Sequence, residues 1–196
     1  MMNRIEKAVA FATKAHAGQY RKGTDRPYIL HPIETMAIIT RLVRYDEDLI
    51  AAAVLHDVVE DTSVTLNRLE KEFGPRVSGL VASVTEDKMR KMPPEATWRA
   101  RKWQTIFNLR KADRETKALV LADNLSNLRE LKRNHEKYGD MIWEHFNQKD
   151  KKMQEWYFKE IEKIVSKEFE YEYYEEMEEY SEMLYPVFEQ KENWWE

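Results

Sequence analysis

Between Leu55 and Thr62 the chain reads Leu-His-Asp-Val-Val-Glu-Asp-Thr, placing four side chains that bind metals or move protons within six positions of an apolar frame. On a helix, residues three and four apart share a face, so His56 lies over Glu60 while Asp57 lies over Glu60 and Asp61. His56 and Asp57 offer ligands to a divalent ion, and Glu60 and Asp61 offer bases for a water molecule. The chemistry suggested is metal-assisted hydrolysis. A lone His-Asp pair is common on protein surfaces, where it is only a hydrogen bond. Here the approach to it, Leu49 to Leu55, is Leu-Ile-Ala-Ala-Ala-Val-Leu. Charged groups directly after so apolar a helix are partly buried, and buried charge needs a metal or a dense hydrogen-bond network to hold it.

Two adjacent ligands do not complete a site for a hard divalent ion, which takes about six donors. Two further residues have suitable positions. His31 precedes Pro32, and proline favours the start of a helix, so the imidazole is expected where a loop enters a helix from Ile33 to Leu42. Asp123 lies in Leu119-Val120-Leu121-Ala122-Asp123-Asn124-Leu125, a carboxylate amid apolar residues in mid-helix, where aspartate is intrinsically poor. Alone, His31 could be a cap or core histidine and Asp123 a buried ion-pair partner. Together with His56 and Asp57 they make a His-His-Asp-Asp set, for which a metal is the favoured reading.

With these residues stand Ala15-His16-Ala17-Gly18-Gln19-Tyr20-Arg21-Lys22-Gly23, Pro27-Tyr28-Ile29-Leu30-His31-Pro32, Phe73-Gly74, Val84-Thr85-Glu86-Asp87-Lys88 and Leu121-Ala122-Asp123-Asn124-Leu125-Ser126-Asn127-Leu128-Arg129. In this order, over about residues 3 to 148, the pieces resemble the HD-domain metal phosphohydrolases. The more specific resemblance is to the hydrolase domain of the RelA/SpoT alarmone enzymes and to the small alarmone hydrolases. That resemblance implies a helical domain holding one Mn²⁺ on His31, His56, Asp57 and Asp123, with Glu60 and Asp61 positioning and deprotonating the attacking water. The implied reaction removes the 3′-pyrophosphate of ppGpp or pppGpp, giving GDP or GTP and pyrophosphate.

Such a substrate also needs cations. Arg21 and Lys22, in a glycine-containing loop, suit phosphate, Arg as a planar fork and Lys as a mobile point charge. A solvated basic loop is the plainer alternative. Asn127 shares a face with Asp123, and the resemblance places it near the nucleotide. Lys88, with Arg99, Arg101 and Lys102, could extend the basic rim. The chain also departs from the family pattern: Val120 stands where a lysine is frequent, and residues 89–96, with Pro93-Pro94, match no family feature. The alternatives are an HD-type phosphohydrolase acting on another nucleotide, or a non-catalytic nucleotide-binding or interaction protein.

The elements that must position these groups read as helices. With 5 Gly, 6 Pro and 35% charged residues in 196, long helices are favoured over sheet, and 42% hydrophobic residues suffice for a core. No segment sustains period-2 alternation, so the expected fold is all-α, an HD-type helical bundle. Helices are expected from Ile5 to Ala15, from Ile33 to Val43, over residues 47 to 60, from a Thr65 cap to Phe73, from Val77 to Thr85, and near 97–110 and 114–133. Absence of cysteine excludes disulfides and thiolate metal sites. The N-terminus lacks a signal-peptide core and no run approaches the roughly 20 apolar residues that span a bilayer, so a cytoplasmic protein without membrane contact is expected. A net charge of −4 argues against long nucleic acid and for a small phosphorylated nucleotide as partner. At 196 residues, no synthetase domain is expected beside the hydrolase.

Residues 1–148 are expected to form the phosphohydrolase domain and 149–196 a C-terminal extension. There Tyr157, Ile161, Val165, Phe169, Tyr173, Met177, Tyr180 and Leu184 form the stripe of one long amphipathic helix ended by Pro186. That stripe is expected to pack on its own domain or to make a homodimer. Glu175, Glu176, Glu178 and Glu179 read as a solvated acidic face, and Asn193-Trp194-Trp195-Glu196 as a docked tail or interface anchor.

Overall fold

The apolar run Leu49 to Leu55 becomes the centre of the molecule, with all seven residues buried. The structure, a computed structural model, describes residues 2–89, 91–169 and 174–188. Helix α1 (Arg4–Ala15) starts at a capping box in which Asn3 Oδ1 accepts from the Glu6 amide and Glu6 Oε2 accepts from the Asn3 amide, both at 2.8 Å. Then come α2 (Leu30–Leu42), α3 (Glu47–Leu55), α4 (Val58–Asp61), α5 (Leu66–Phe73) and α6 (Pro75–Val84). Thr65 caps α5 as its position suggests, and Gly74 at φ +90° separates α5 from α6. Helices α7 (Pro94–Leu109) and α8 (Arg114–Tyr138) follow, then a 3₁₀ segment (Gly139–His145), α9 (Lys151–Phe169) and α10 (Tyr174–Phe188). No strand occurs among the described residues; one isolated bridge joins Tyr20 to Pro27. The all-α expectation holds. None of the described helices is long and apolar enough to cross a membrane.

Helix α3 is enclosed by α1, α2, α6 and α8. Helix α8 reaches the same core through Ala118, Leu119, Leu121, Ala122, Leu125 and Leu128. The site elements α2, α3 and α8 thus pack on one another, and burial of this apolar surface is the main force holding their ligand-bearing turns in register.

Five expectations need correction. The motif helix over 47–60 is broken: α3 stops at Leu55, Asp57 adopts φ −93°, ψ −8°, and α4 restarts at Val58. An aspartate that ties its side chain to neighbouring groups favours such a break. Helix α2 begins at Leu30, so His31 lies inside its first turn rather than in the loop before it. The C-terminal stripe is carried by two helices, α9 and α10, running antiparallel: Ser181 bonds Glu162 and Phe188 meets Phe158. Tyr157, Ile161, Val165, Phe169, Met177, Tyr180 and Leu184 are all buried, whereas Tyr173 and residues 193–196 lie outside the described residues. Pro186 falls within α10, which continues to Phe188; so close to the end, its missing N–H removes little. The acidic face is only partly solvated. Glu175 and Glu178 are exposed, but Glu176 is buried and pairs with Arg41 at 2.9 Å, and Glu179 pairs with Arg129.

Candidate active site

The first turn of α2 brings His31, the α3–α4 break brings His56 and Asp57, and the middle of α8 brings Asp123, to one point. His31 Nε2 lies 3.2 Å from His56 Nε2 and 3.1 Å from Asp123 Oδ1. Asp57 Oδ2 lies 3.0 Å from His56 Nε2 and 3.5 Å from His31 Nε2. The donor atoms of His31, His56 and Asp123 all fall within 4.8 Å of one another, and Asp57 joins through its contacts with both imidazoles.

The ring orientations suit metal binding. His56 Nδ1 lies 2.8 Å from the Ala53 carbonyl, which only accepts, so Nδ1 carries a hydrogen and Nε2 is the nitrogen that faces the cluster and would bind a metal. His31 Nδ1 faces Ser126 Oγ at 2.9 Å, leaving its Nε2 toward the same point. Two imidazole nitrogens and two carboxylates form a mixed donor set for a divalent metal. The electrostatics agree. Burial opposes a charge on His56, yet Asp57 and Asp123 outweigh it and raise the imidazole well above its ordinary value. Burial likewise opposes ionisation of Asp57 and Asp123, but both imidazoles hold these carboxyls below the ordinary range. The concentrated negative charge is what a divalent cation would neutralise.

Beside this cluster stand Glu60 and Asp61. Glu60 Oε2 accepts from the Glu86 amide at 2.9 Å and Oε1 meets Lys88 Nζ at 2.6 Å. Asp61 Oδ1 lies 3.1 Å from the same ammonium. Burial, reinforced by the charge of Asp57, raises the Glu60 carboxyl above its usual value, against the pull of Lys88. The Tyr28 hydroxyl reaches Asp57 Oδ2 at 2.6 Å and Asp61 Oδ2 at 2.8 Å, linking the candidate ligands to the candidate bases.

The four candidate ligands line one cleft of about 300 Å³ together with Tyr28, Glu60, Asp61, Glu86 and Lys88. Lys22 enters it without an ion pair among the described residues, and burial, then the charges of Lys88 and Lys102, lower its pKa. A cation disfavoured by other cations is a seat for an anion. Arg21 lines the same cleft, with its guanidinium paired to Glu130 and donating to Asn127 Oδ1 at 2.8 Å. Asn127 Nδ2 in turn donates to Asp123 Oδ1 at 2.8 Å. Arg101 is buried against Glu86, and Arg99 is exposed and outside the cleft. Lys102 lines the cleft, 3.0 Å from Glu86 and over the Tyr157 ring at 4.6 Å. Sequence reasoning missed Tyr28, Glu86, Ser126 and Glu130. Tyr28, Glu86 and Ser126 lie inside the quoted motifs, but spacing alone carries no sign of their partners.

The HD domain family model matches residues 8–166. The chain is similar to a Drosophila melanogaster protein named guanosine-3′,5′-bis(diphosphate) 3′-pyrophosphohydrolase MESH1, 38% identical over 130 residues, which are 65% of this chain and 69% of that protein. It is also similar to a Brucella ovis GTP pyrophosphokinase, 34% identical over 127 residues; the match takes in 65% of this chain but 17% of that much longer protein. Among solved structures, a metazoan ortholog of SpoT described as hydrolysing ppGpp superposes with a TM-score of 0.73 at 26% identity, over 93% of this chain and 94% of that one. A Listeria monocytogenes crystal structure gives a TM-score of 0.66 at 31% identity, over 82% and 99%. The family match over most of the length, on a helical frame that gathers two histidines and two aspartates, shows that the chain belongs to the HD domain family.

Proposed function

We propose that the protein is a Mn²⁺-dependent pyrophosphohydrolase that removes the 3′-pyrophosphate of ppGpp or pppGpp, giving GDP or GTP and pyrophosphate. One observation carries the reading: the His31, His56, Asp57 and Asp123 donor cluster shares a cleft with the Glu60–Asp61 pair and with Lys22. The 38% identity to a named 3′-pyrophosphohydrolase supports the substrate.

A divalent ion on the four donors supplies Lewis acidity, acidifying water and neutralising phosphate charge. Glu60, its pKa raised by burial and by Asp57, takes the water's proton, and Asp61, held by Tyr28 and Lys88, orients that water. Lys22 and Lys88 receive phosphate oxygens. Asn127 steadies Asp123, and Arg21 acts behind both, through Asn127.

Residues 1–148 we assign to the catalytic domain and 149–196 to an extension whose helix α9 adds Gln154, Tyr157 and Phe158 to the cleft wall. Among the described residues the apolar stripe of the extension is already covered, so a homodimer through α9 and α10 would use their outer faces. The test is a substrate panel with Mn²⁺-loaded protein. Turnover of ppGpp and pppGpp over nucleoside monophosphates supports the proposal, whereas the reverse preference gives the site to another nucleotide.

A further inference from the structure

We infer that the C-terminal helix α10 sets the metal-binding orientation of His31 through a hydrogen-bonded line that runs Glu179, Arg129, Glu34, Ser126, His31. Arg129 forks onto Glu179, with Nε to Oε1 at 2.7 Å and Nη2 to Oε2 at 2.6 Å. Its remaining Nη1 donates to Glu34 Oε1 at 3.4 Å. Ser126 Oγ donates to the other oxygen of the same carboxylate, Glu34 Oε2, at 2.9 Å, and lies 2.9 Å from His31 Nδ1. Both Ser126 and His31 are buried.

The direction of the line follows from its chemistry. A carboxylate cannot donate, so the single hydroxyl hydrogen of Ser126 goes to Glu34. Toward His31, Ser126 is then an acceptor, Nδ1 must carry the ring hydrogen, and Nε2 keeps its lone pair for a metal. Without Glu34 the hydroxyl is free to turn and donate to Nδ1. The ring hydrogen would then sit on Nε2, the tautomer that cannot bind. Arg129 holds Glu34 in place, and Glu179 holds Arg129. Ser126, Glu34 and Glu179 are therefore positioning residues that never touch substrate, and α10 is coupled to the metal site from outside the cleft. The inference rests on the reading of His31 as a ligand.

Co²⁺ binding to the full chain tests it, read by titration and by the visible absorption of the bound ion, with thermal melts as the folding control. Ser126→Ala and Glu34→Ala are expected to weaken Co²⁺ binding about 10- to 100-fold, as loss of hydrogen bonds behind metal ligands does elsewhere, and to alter the absorption bands. Ser126→Thr, which keeps the hydroxyl, restores both. Glu179→Ala, at a half-exposed position that leaves the core intact, shifts affinity and bands in the same direction by a smaller factor. Wild-type binding and spectrum in Ser126→Ala and Glu34→Ala would overturn the inference. A lowered melting temperature in Glu179→Ala with unchanged Co²⁺ affinity and spectrum would remove α10 from the line. His31→Ala separates the premises: if it too binds Co²⁺ normally, the metal reading itself has failed.

Discussion

The Lys88 ammonium lies 2.6 Å from Glu60 Oε1 and, in the same position, 3.1 Å from Asp61 Oδ1, so one cation serves both candidate bases. Burial and Asp57 push the Glu60 carboxyl up while Lys88 pulls it down, and the balance decides the pH at which Glu60 becomes a base. Removing the cation as Lys88→Met is expected to move the acidic limb of the pH–rate profile upward and to lower kcat about tenfold or more. An unmoved acidic limb would show that Lys88 does not tune Glu60.

Glu60→Gln with Asp61→Asn keeps the shape of the pair and removes its basicity. The expected loss in kcat is about 10²- to 10⁴-fold, the usual contribution of a positioned base, with bound metal retained. Metal content by elemental analysis alongside kcat separates this from damage to the donor cluster.

Stability should depend on pH differently with and without metal. His56 is raised well above the ordinary histidine value of 6.5 by Asp57 and Asp123. In metal-free protein its contribution is fully present below 6.5 and is lost as pH rises through the elevated folded-state value. The melting temperature of metal-free protein should therefore carry a falling contribution above pH 6.5 that His56→Asn abolishes. Metal-loaded protein should show the opposite slope at acid pH, because the ion and the proton compete for His56 Nε2. Identical pH profiles for wild type and His56→Asn, both metal-free, would contradict this.

Glu86 anchors the loop whose amide holds Glu60, and it is itself gripped by the buried Arg101, by Lys102 at 3.0 Å and by Thr105 at 3.2 Å. Arg101→Met leaves that buried carboxylate short of a partner and is expected to cost about 3–5 kcal/mol of stability, measured by urea unfolding. A cost below about 1 kcal/mol, the range of an exposed pair, would mean that Lys102 and Thr105 satisfy Glu86 without Arg101.

The helices were legible where local rules act alone: the Asn3–Glu6 capping box, the Thr65 cap and the Gly74-Pro75 boundary are written in adjacent residues. His56, Asp57 and Asp123 stood out because charged groups in or beside apolar helices require a partner, and His31 because Pro32 marks a helix entry; the structure brings all four together. The break at Asp57 was not legible, since its periodicity is that of a continuous helix and tertiary side-chain bonding opposes it. Nor was the division of the C-terminal stripe into α9 and α10, because an apolar stripe has the same spacing whether the helix runs on or doubles back. Arg21 shows a further limit. Its type suits phosphate, but its commitment to Glu130, 109 positions away, is a product of the fold.

The most direct measurement is to incubate Mn²⁺-loaded protein with ppGpp and follow GDP and pyrophosphate by anion-exchange chromatography, with Glu60→Gln/Asp61→Asn in parallel. The account predicts equal amounts of GDP and pyrophosphate from the wild type and almost none from the variant. Intact ppGpp after incubation with folded, metal-loaded wild type, or equal release by both proteins, would contradict it.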